Sequence, residues 1–375
     1  MANNETLLDQ RKSGPRLDLA QAAYRARRAG RPFLRQVADI ARLHRAPNRL
    51  GPREYYLFRL YDPARSDADR QAYIGEIGQA GLFFRLTDPT WVAAAHDKLL
   101  YYAAMAGLGC RVPRVLGVLH ATRRFPGAEA LPDARAAAAF LRRAPYPMFG
   151  KPVTGRYSLG TVALAGYDAA GDRVRGADGK EAGLDAFVAE LGAFAAGGYL
   201  FQERLRPHPF VREACGDRIA TVRLAILCGR NGPDMFYAVW KVPAGAHVAD
   251  NFWRPGNLLA ALDRHGRIVR VVQGAGPAQR EVETHPDTGF RLLGATLPDW
   301  AATVELTLGA ATAFPGLRAQ AWDVALTDQG PLLLELNVGG DVNLPQYAFG
   351  RGVYREGLKA LDEEARARRS GTHAA

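Results

Sequence analysis

The residues best placed for chemistry lie in Trp322-Asp323-Val-Ala-Leu-Thr-Asp328-Gln-Gly330-Pro-Leu-Leu-Leu-Glu335-Leu-Asn337. Asp328-Gln329-Gly330 fits a three-residue hairpin loop, with Gly330 in the left-handed region that glycine enters freely. With Thr327 opposite Pro331 as the closing pair, counting outward sets Asp323 opposite Glu335. Strand side chains alternate, so Trp322, Val324, Leu326, Leu332, Leu334 and Leu336 are expected on a buried face. Asp323, Glu335 and Asn337 then share the other face. Acids opposed across neighbouring strands, with Cβ atoms roughly 5 Å apart, repel each other. Solvent, a shared proton or a cation between them relieves that repulsion. Two carboxylates and an amide oxygen suit Mg²⁺, which takes one or two carboxylates together with substrate phosphates. The plainer reading is an exposed edge hairpin with harmless acids; the strongly apolar opposite face favours the metal.

A second group surrounds a lysine. Only six of the 49 basic residues are lysines, so an interior lysine is informative in a chain that uses arginine wherever charge alone matters. Lys151 ends the strand-like Met148–Val153 and precedes Gly155-Arg-Tyr-Ser158-Leu-Gly160-Thr161. Gly155 and Gly160 admit close backbone approach to an anion, and Ser158 adds a donor. The order of a P-loop is absent, and without the carboxylate hairpin an ordinary turn would be the better reading. Phe201-Gln202-Glu203-Arg204-Leu205 closes another strand at an expected hinge, where backbone groups and Glu203 could read an adenine edge. Lys98, opening a helix after Asp97, reads by itself as a surface residue.

These groups need elements to position them. Residues 1–95 carry helical periodicity and many charges. Beyond them, short alternating stretches predict strands at Met148–Val153, Thr161–Tyr167, Tyr199–Glu203, Ile219–Cys228 and Met235–Val242, with hairpins over 258–272 and 320–338. Helices are expected at 129–143, 184–196 and 300–313. In Ile219–Cys228 the apolar residues Val222, Leu224, Ile226 and Cys228 alternate, which sends Thr221 and Arg223 to the opposite face. The expected class is α+β, divided as a helical region 1–95, a lid 96–203 and a core 204–375 carrying the metal site.

Composition sets limits. At 375 residues and 48% hydrophobic content the chain can bury one large core or two to three moderate ones. No window approaches a membrane span, the polar N-terminus lacks a secretion signal, and three scattered cysteines favour a reducing compartment, so a cytoplasmic protein is expected. The net charge of +11 admits nucleic acid as a partner, but its arginines are dispersed among acids, and no nucleic-acid partner is expected.

The order and spacing of these motifs resemble the ATP-grasp superfamily, and within it the sugar-transfer-associated family found with surface-polysaccharide genes. The resemblance runs from Glu54-Tyr55-Tyr56 to Gln346 and includes Asp97-Lys98, Phe149-Gly-Lys151-Pro, Gln202-Glu203, His208-Pro209, Thr221-Val-Arg223, Gly256-Asn257, His285-Pro-Asp-Thr-Gly289, Trp322-Asp323 and Glu335-Leu-Asn337. It implies a fold of two antiparallel-sheet subdomains clasping ATP. Lys98 and Lys151 would contact the phosphates, Gln202, Glu203 and Leu205 would line the adenine site, and His208 would lie near the ribose, where many relatives carry an acid. Arg223, Arg254 and Asn257 would face the triphosphate or acceptor, and Asp323, Glu335 and Asn337 would hold Mg²⁺. The helical N-terminal region departs from the Rossmann-like domain that often shapes the acceptor pocket in such ligases.

The implied activity is a Mg-ATP-dependent ligase that joins a small-molecule carboxylate to an amine, or a similar nucleophile, through an acylphosphate in surface-polysaccharide or secondary-metabolite biosynthesis. One alternative is phosphotransfer to a sugar or polyol hydroxyl. Another is a basic binding module without catalysis.

Overall fold

The alternating stretches form two separate sheets, because each must bury one apolar face against a different set of helices. A computed structural model of the protein describes residues 6–9, 17–155, 158–245, 250–276 and 279–371. The first sheet contains Val115–Leu119 (β1), Glu129–Leu131 (β2), Met148–Pro152 (β3), Val162–Asp168 (β4), Arg173–Gly176 (β5), Glu181–Gly183 (β6) and Tyr199–Glu203 (β7). Its order is β2-β1-β7-β3-β4-β5-β6, antiparallel except for β1 with β2. One face buries Met148, Leu164 and Phe201 under Phe140 and Leu141 of helix Ala134–Arg143 and Phe187 of helix Leu184–Leu191. Burying each such side chain fully stabilises by about 2–3 kcal/mol. The expected helix at 129–143 thus starts later, at Ala134, where the Asp133 carboxylate accepts from the Ala136 N–H.

The second sheet holds Thr221–Gly229 (β8), Gly232–Val242 (β9), Leu258–Leu262 (β10), Ile268–Gln273 (β11), Arg280–Glu281 (β12), Ala319–Thr327 (β13) and Gly330–Val338 (β14). Its order is β12-β11-β10-β9-β8-β13-β14. Val222, Leu224, Ile226, Trp240 and Trp322 face one core, covered by helix Trp300–Ala311. Val239, Leu259 and Val272 face another, covered by helices of the N-terminal region and by Asn343–Phe349. Helix Lys98–Gly107 lies between the sheets: Leu99, Tyr101, Tyr102 and Met105 share a core with Val118 and Leu200 of the first and Val222 and Trp322 of the second.

The carboxylate hairpin closes differently from the count made on the sequence. Thr327 pairs with Gly330, leaving a two-residue loop with Gly330 at φ +93°. A one-residue bulge at Leu334 then restores the expected register, so Asp323 does stand opposite Glu335. The bulge turns over three leucines. Leu333, not Leu334, joins the buried core, while Leu332, expected on the buried face, pairs with Ala325 and lies outside that core. Leu334 lines a cleft between the sheets.

Candidate active site

The floor of that cleft is built on three adjacent strands. Arg223 of β8 pairs with Asp323 of β13, which in turn pairs with Glu335 of β14. The Arg223 guanidinium donates from Nε to Asp323 Oδ1 at 2.8 Å and from Nη2 to Oδ2 at 2.7 Å. Lys241 of β9 donates to the same Oδ2 at 3.1 Å, and Asn337 Nδ2 lies 3.4 Å from it. Burial alone would raise the Asp323 pKa, but Arg223 and Lys241 hold it well below the usual carboxylate range. Lys241 also stands 3.7 Å from Asp250, whose carboxylate accepts from the Thr221 N–H at 2.8 Å and from its hydroxyl.

The opposite wall brings two lysines. Lys151, next to last in β3, is buried and donates from Nζ to the Tyr102 hydroxyl at 2.7 Å. That hydroxyl donates to Gln202 Oε1 at 3.0 Å. Burial, and next the charge of Lys98, push the Lys151 ammonium down to about 7. Lys98 opens its helix behind Asp97, which caps the Leu99 and Leu100 N–H groups and is clamped by Arg123 at 2.6 Å and 2.9 Å. From there Lys98 Nζ reaches Gly155 O at 3.4 Å and stands 3.9 Å from Glu335 Oε2.

Between floor and wall lies a cleft of about 780 Å³. Lys98, Lys151, Gly155, Ser158, Gln202, Glu203, Leu205, Arg223, Asp323, Glu335 and Asn337 all line it. Gln202 and Glu203 use their side chains locally, on Tyr102 and on the Arg114 N–H at 2.9 Å.

Gly160, His208, Arg254 and Asn257 do not line the cleft. A Cβ on Gly160 would sit 2.5 Å from the Phe194 ring, at φ +74°, so glycine there serves packing. His208 Nδ1 accepts from the Phe210 N–H at the start of helix Pro209–Cys215. Asn257 is fully buried, accepting from Ala244 N–H and donating to Asn251 O, both at 2.8 Å. It thereby anchors the loop whose members Asn251, Phe252 and Trp253 do line the cleft. Arg254 pairs with Asp9, whose backbone bonds Gly160 and Thr161, so the N-terminal segment links the glycine loop to the second sheet.

Sequence reasoning missed several lining groups. Lys241, one of the few lysines, was detectable from its scarcity. Leu334 was not, because the bulge leaves no mark in an all-leucine run. Asp341, in Gly339-Gly340-Asp341, accepts from Trp253 Nε1 at 3.0 Å and from Asn343 N–H at 3.0 Å, and burial raises its pKa.

The oxygen donors fit a hard divalent cation shared with phosphate. Glu335 is partly exposed to the cleft, Asn337 spends its Nδ2 on Asp323 and keeps its carbonyl oxygen, and Asp323 Oδ1 carries a lone pair beyond its bond to Arg223. Among the described residues no group of three or more His, Cys, Asp or Glu side chains is placed to hold a metal.

Comparison with solved structures returns D-alanine–D-alanine ligase from Coxiella burnetii, at 9% identity and TM-score 0.42, over 77% of this chain and 62% of that one. Biotin carboxylase from Campylobacter jejuni aligns at 12% identity and TM-score 0.44, over 75% and 48%. N5-carboxyaminoimidazole ribonucleotide synthetase from Thermotoga maritima aligns at 11% and TM-score 0.36, over 71% and 49%. The chain thus spans about half to three-fifths of the length of these proteins. No curated protein matches the sequence. The model of the sugar-transfer associated ATP-grasp family matches residues 82–363, which contain both sheets, the three cleft lysines and the carboxylate hairpin. The chain belongs to the sugar-transfer associated ATP-grasp family.

Proposed function

We propose that the protein is a Mg²⁺-ATP-dependent ligase that joins a small-molecule carboxylate to an amine through an acylphosphate. One observation carries the reading: two lysines from one wall and two carboxylates from the other converge on a single cleft, with Lys98 Nζ 3.9 Å from Glu335. Cations and anions facing each other this closely suit a ligand that carries phosphate and a metal together.

In this reading Lys98 and Lys151 hold the phosphates, with Gly155 and Ser158 closing over them. Gln202, Glu203 and Leu205 line the base, and Leu334 packs against it. Asp323, Glu335 and Asn337 hold the metal, which when bound neutralises and orients the phosphate oxygens. Arg223 presents its guanidinium to the triphosphate or to the acid. Gly160, His208, Arg254 and Asn257 set the loops behind these groups.

A carboxylate oxygen attacks the γ-phosphorus and ADP leaves; Lys98 and Lys151 stabilise the charge spreading over the transferred phosphoryl oxygens. The amine then attacks the acyl carbon, phosphate leaves, and the amine proton passes to water or a nearby carboxylate. The first sheet, hinged near Glu203, excludes water while this proceeds. The family description points to a sugar-borne acid or amine as the first substrates to try. Incubation with ATP, Mg²⁺, hydroxylamine and a panel of sugar and amino acids tests the reading. A hydroxamate formed with ADP is expected; a stable phosphate ester would instead establish phosphotransfer to a hydroxyl.

A further inference from the structure

We propose that the outer face of the helical hairpin 19–45 docks on an anionic lipid bilayer. Residues 17–53 hold nine arginines against two aspartates, so this short segment supplies most of the chain's net charge of +11. Asp39 reaches Arg35 at 3.8 Å and Arg42 at 3.5 Å, so two carboxylates offset only a minority of the nine guanidinium groups. Asp18 caps the helix Leu19–Arg28 through the Gln21 N–H, and Asp39 is 2% exposed, paired inward with Arg31 and Tyr55.

Helix Phe33–Arg45 is apolar on the wrong side for a solvated helix. Its inner stripe is Gln36, Asp39 and Leu43, with Gln36 bonded to the Tyr56 hydroxyl at 2.8 Å. Its outer stripe carries Leu34, 87% exposed, and Val37, 66% exposed, one turn apart. Phe33 at the same helix end, and Leu19 and Tyr24 on the first helix, are also large apolar side chains left exposed. Exposed Arg35 and Arg45 flank it.

A ridge of large apolar side chains edged by guanidinium groups is the pattern of a helix lying in a membrane interface, where apolar groups enter the acyl boundary and cations meet lipid phosphates. The competing occupants fit less well. Nucleic acid would leave Leu34 and Val37 without a role, and a second copy of this face would set arginine against arginine. This surface is separate from the catalytic cleft, and the inference stands independently of the ligase reading.

Co-sedimentation of the full chain with vesicles of phosphatidylcholine alone, and of phosphatidylcholine with phosphatidylglycerol, tests it. We expect roughly tenfold stronger partitioning to the anionic vesicles, falling with added salt. Leu34→Ser with Val37→Ser, and separately Arg35→Glu with Arg45→Glu, should each reduce it about tenfold while the circular dichroism spectrum and melting temperature hold. Vesicle binding that ignores lipid charge, or is absent, overturns the proposal, as does wild-type binding by the Leu34/Val37 variant. So does a dimer that this variant disrupts, or duplex DNA binding that only the arginine changes abolish.

Discussion

Arg223 and Asp323 occupy paired positions on neighbouring strands and meet through two parallel hydrogen bonds of 2.8 Å and 2.7 Å, with Lys241 closing on the same carboxylate. Asp323 therefore has two jobs in the proposed site, as an anchor for two buried cations and as a metal ligand. Asp323→Asn would leave Arg223 and Lys241 buried without their counter-charge. We expect a loss of about 3 kcal/mol in urea unfolding, together with loss of turnover.

Glu335 separates the two jobs, since its carboxylate is partly exposed and no strong ion pair depends on it. Glu335→Gln should lower ATP turnover at least about a hundredfold while unfolding in the same urea concentration as the parent. Turnover unchanged in Glu335→Gln would remove the metal assignment.

Lys151 makes stability depend on pH with a definite sign. Its ammonium is pushed down to about 7 in the folded protein, against about 10.4 in an unfolded chain. Between those values the unfolded state binds more protons, so stability rises as pH increases from about 7 toward 10, and below about 7 the burial penalty is present in full. Lys151→Met should flatten that rise in denaturation curves taken across the range and be more stable than the parent at pH 7. If Lys151 holds the phosphates as proposed, the same change should lower turnover about a hundredfold.

Tyr102 bridges two adjacent strands on the lysine side of the cleft, accepting from Lys151 of β3 and donating to Gln202 of β7. Tyr102→Phe keeps the packing and leaves both partners short of a hydrogen bond. A destabilisation of about 1–2 kcal/mol is expected, with KM for ATP raised several-fold and kcat changed less. Calorimetric melting and steady-state kinetics measure the two effects.

Much of this protein was legible in one dimension because strand parity is a local property. Alternation alone sent Arg223, Asp323, Glu335 and Asn337 to a common face, and the scarcity of lysine marked Lys151. The pairing of Asp323 with Glu335 came out right, though through a shorter loop and a compensating bulge that an all-leucine run cannot reveal.

What the linear chain could not decide was distance between segments far apart in sequence. His208, Arg254 and Asn257 have suitable types in suitable places, yet they settle behind the cleft because nearby backbone groups and Asp9 offered them partners. Lys98 read by itself as a surface residue, and only the family resemblance set it near phosphates; it lines the cleft 3.9 Å from Glu335 on a helix packed through Tyr101 against Trp322. Local pattern determined which way each side chain points from its own element. Only the packing of one sheet over the other, through a shared core, decided which of them meet.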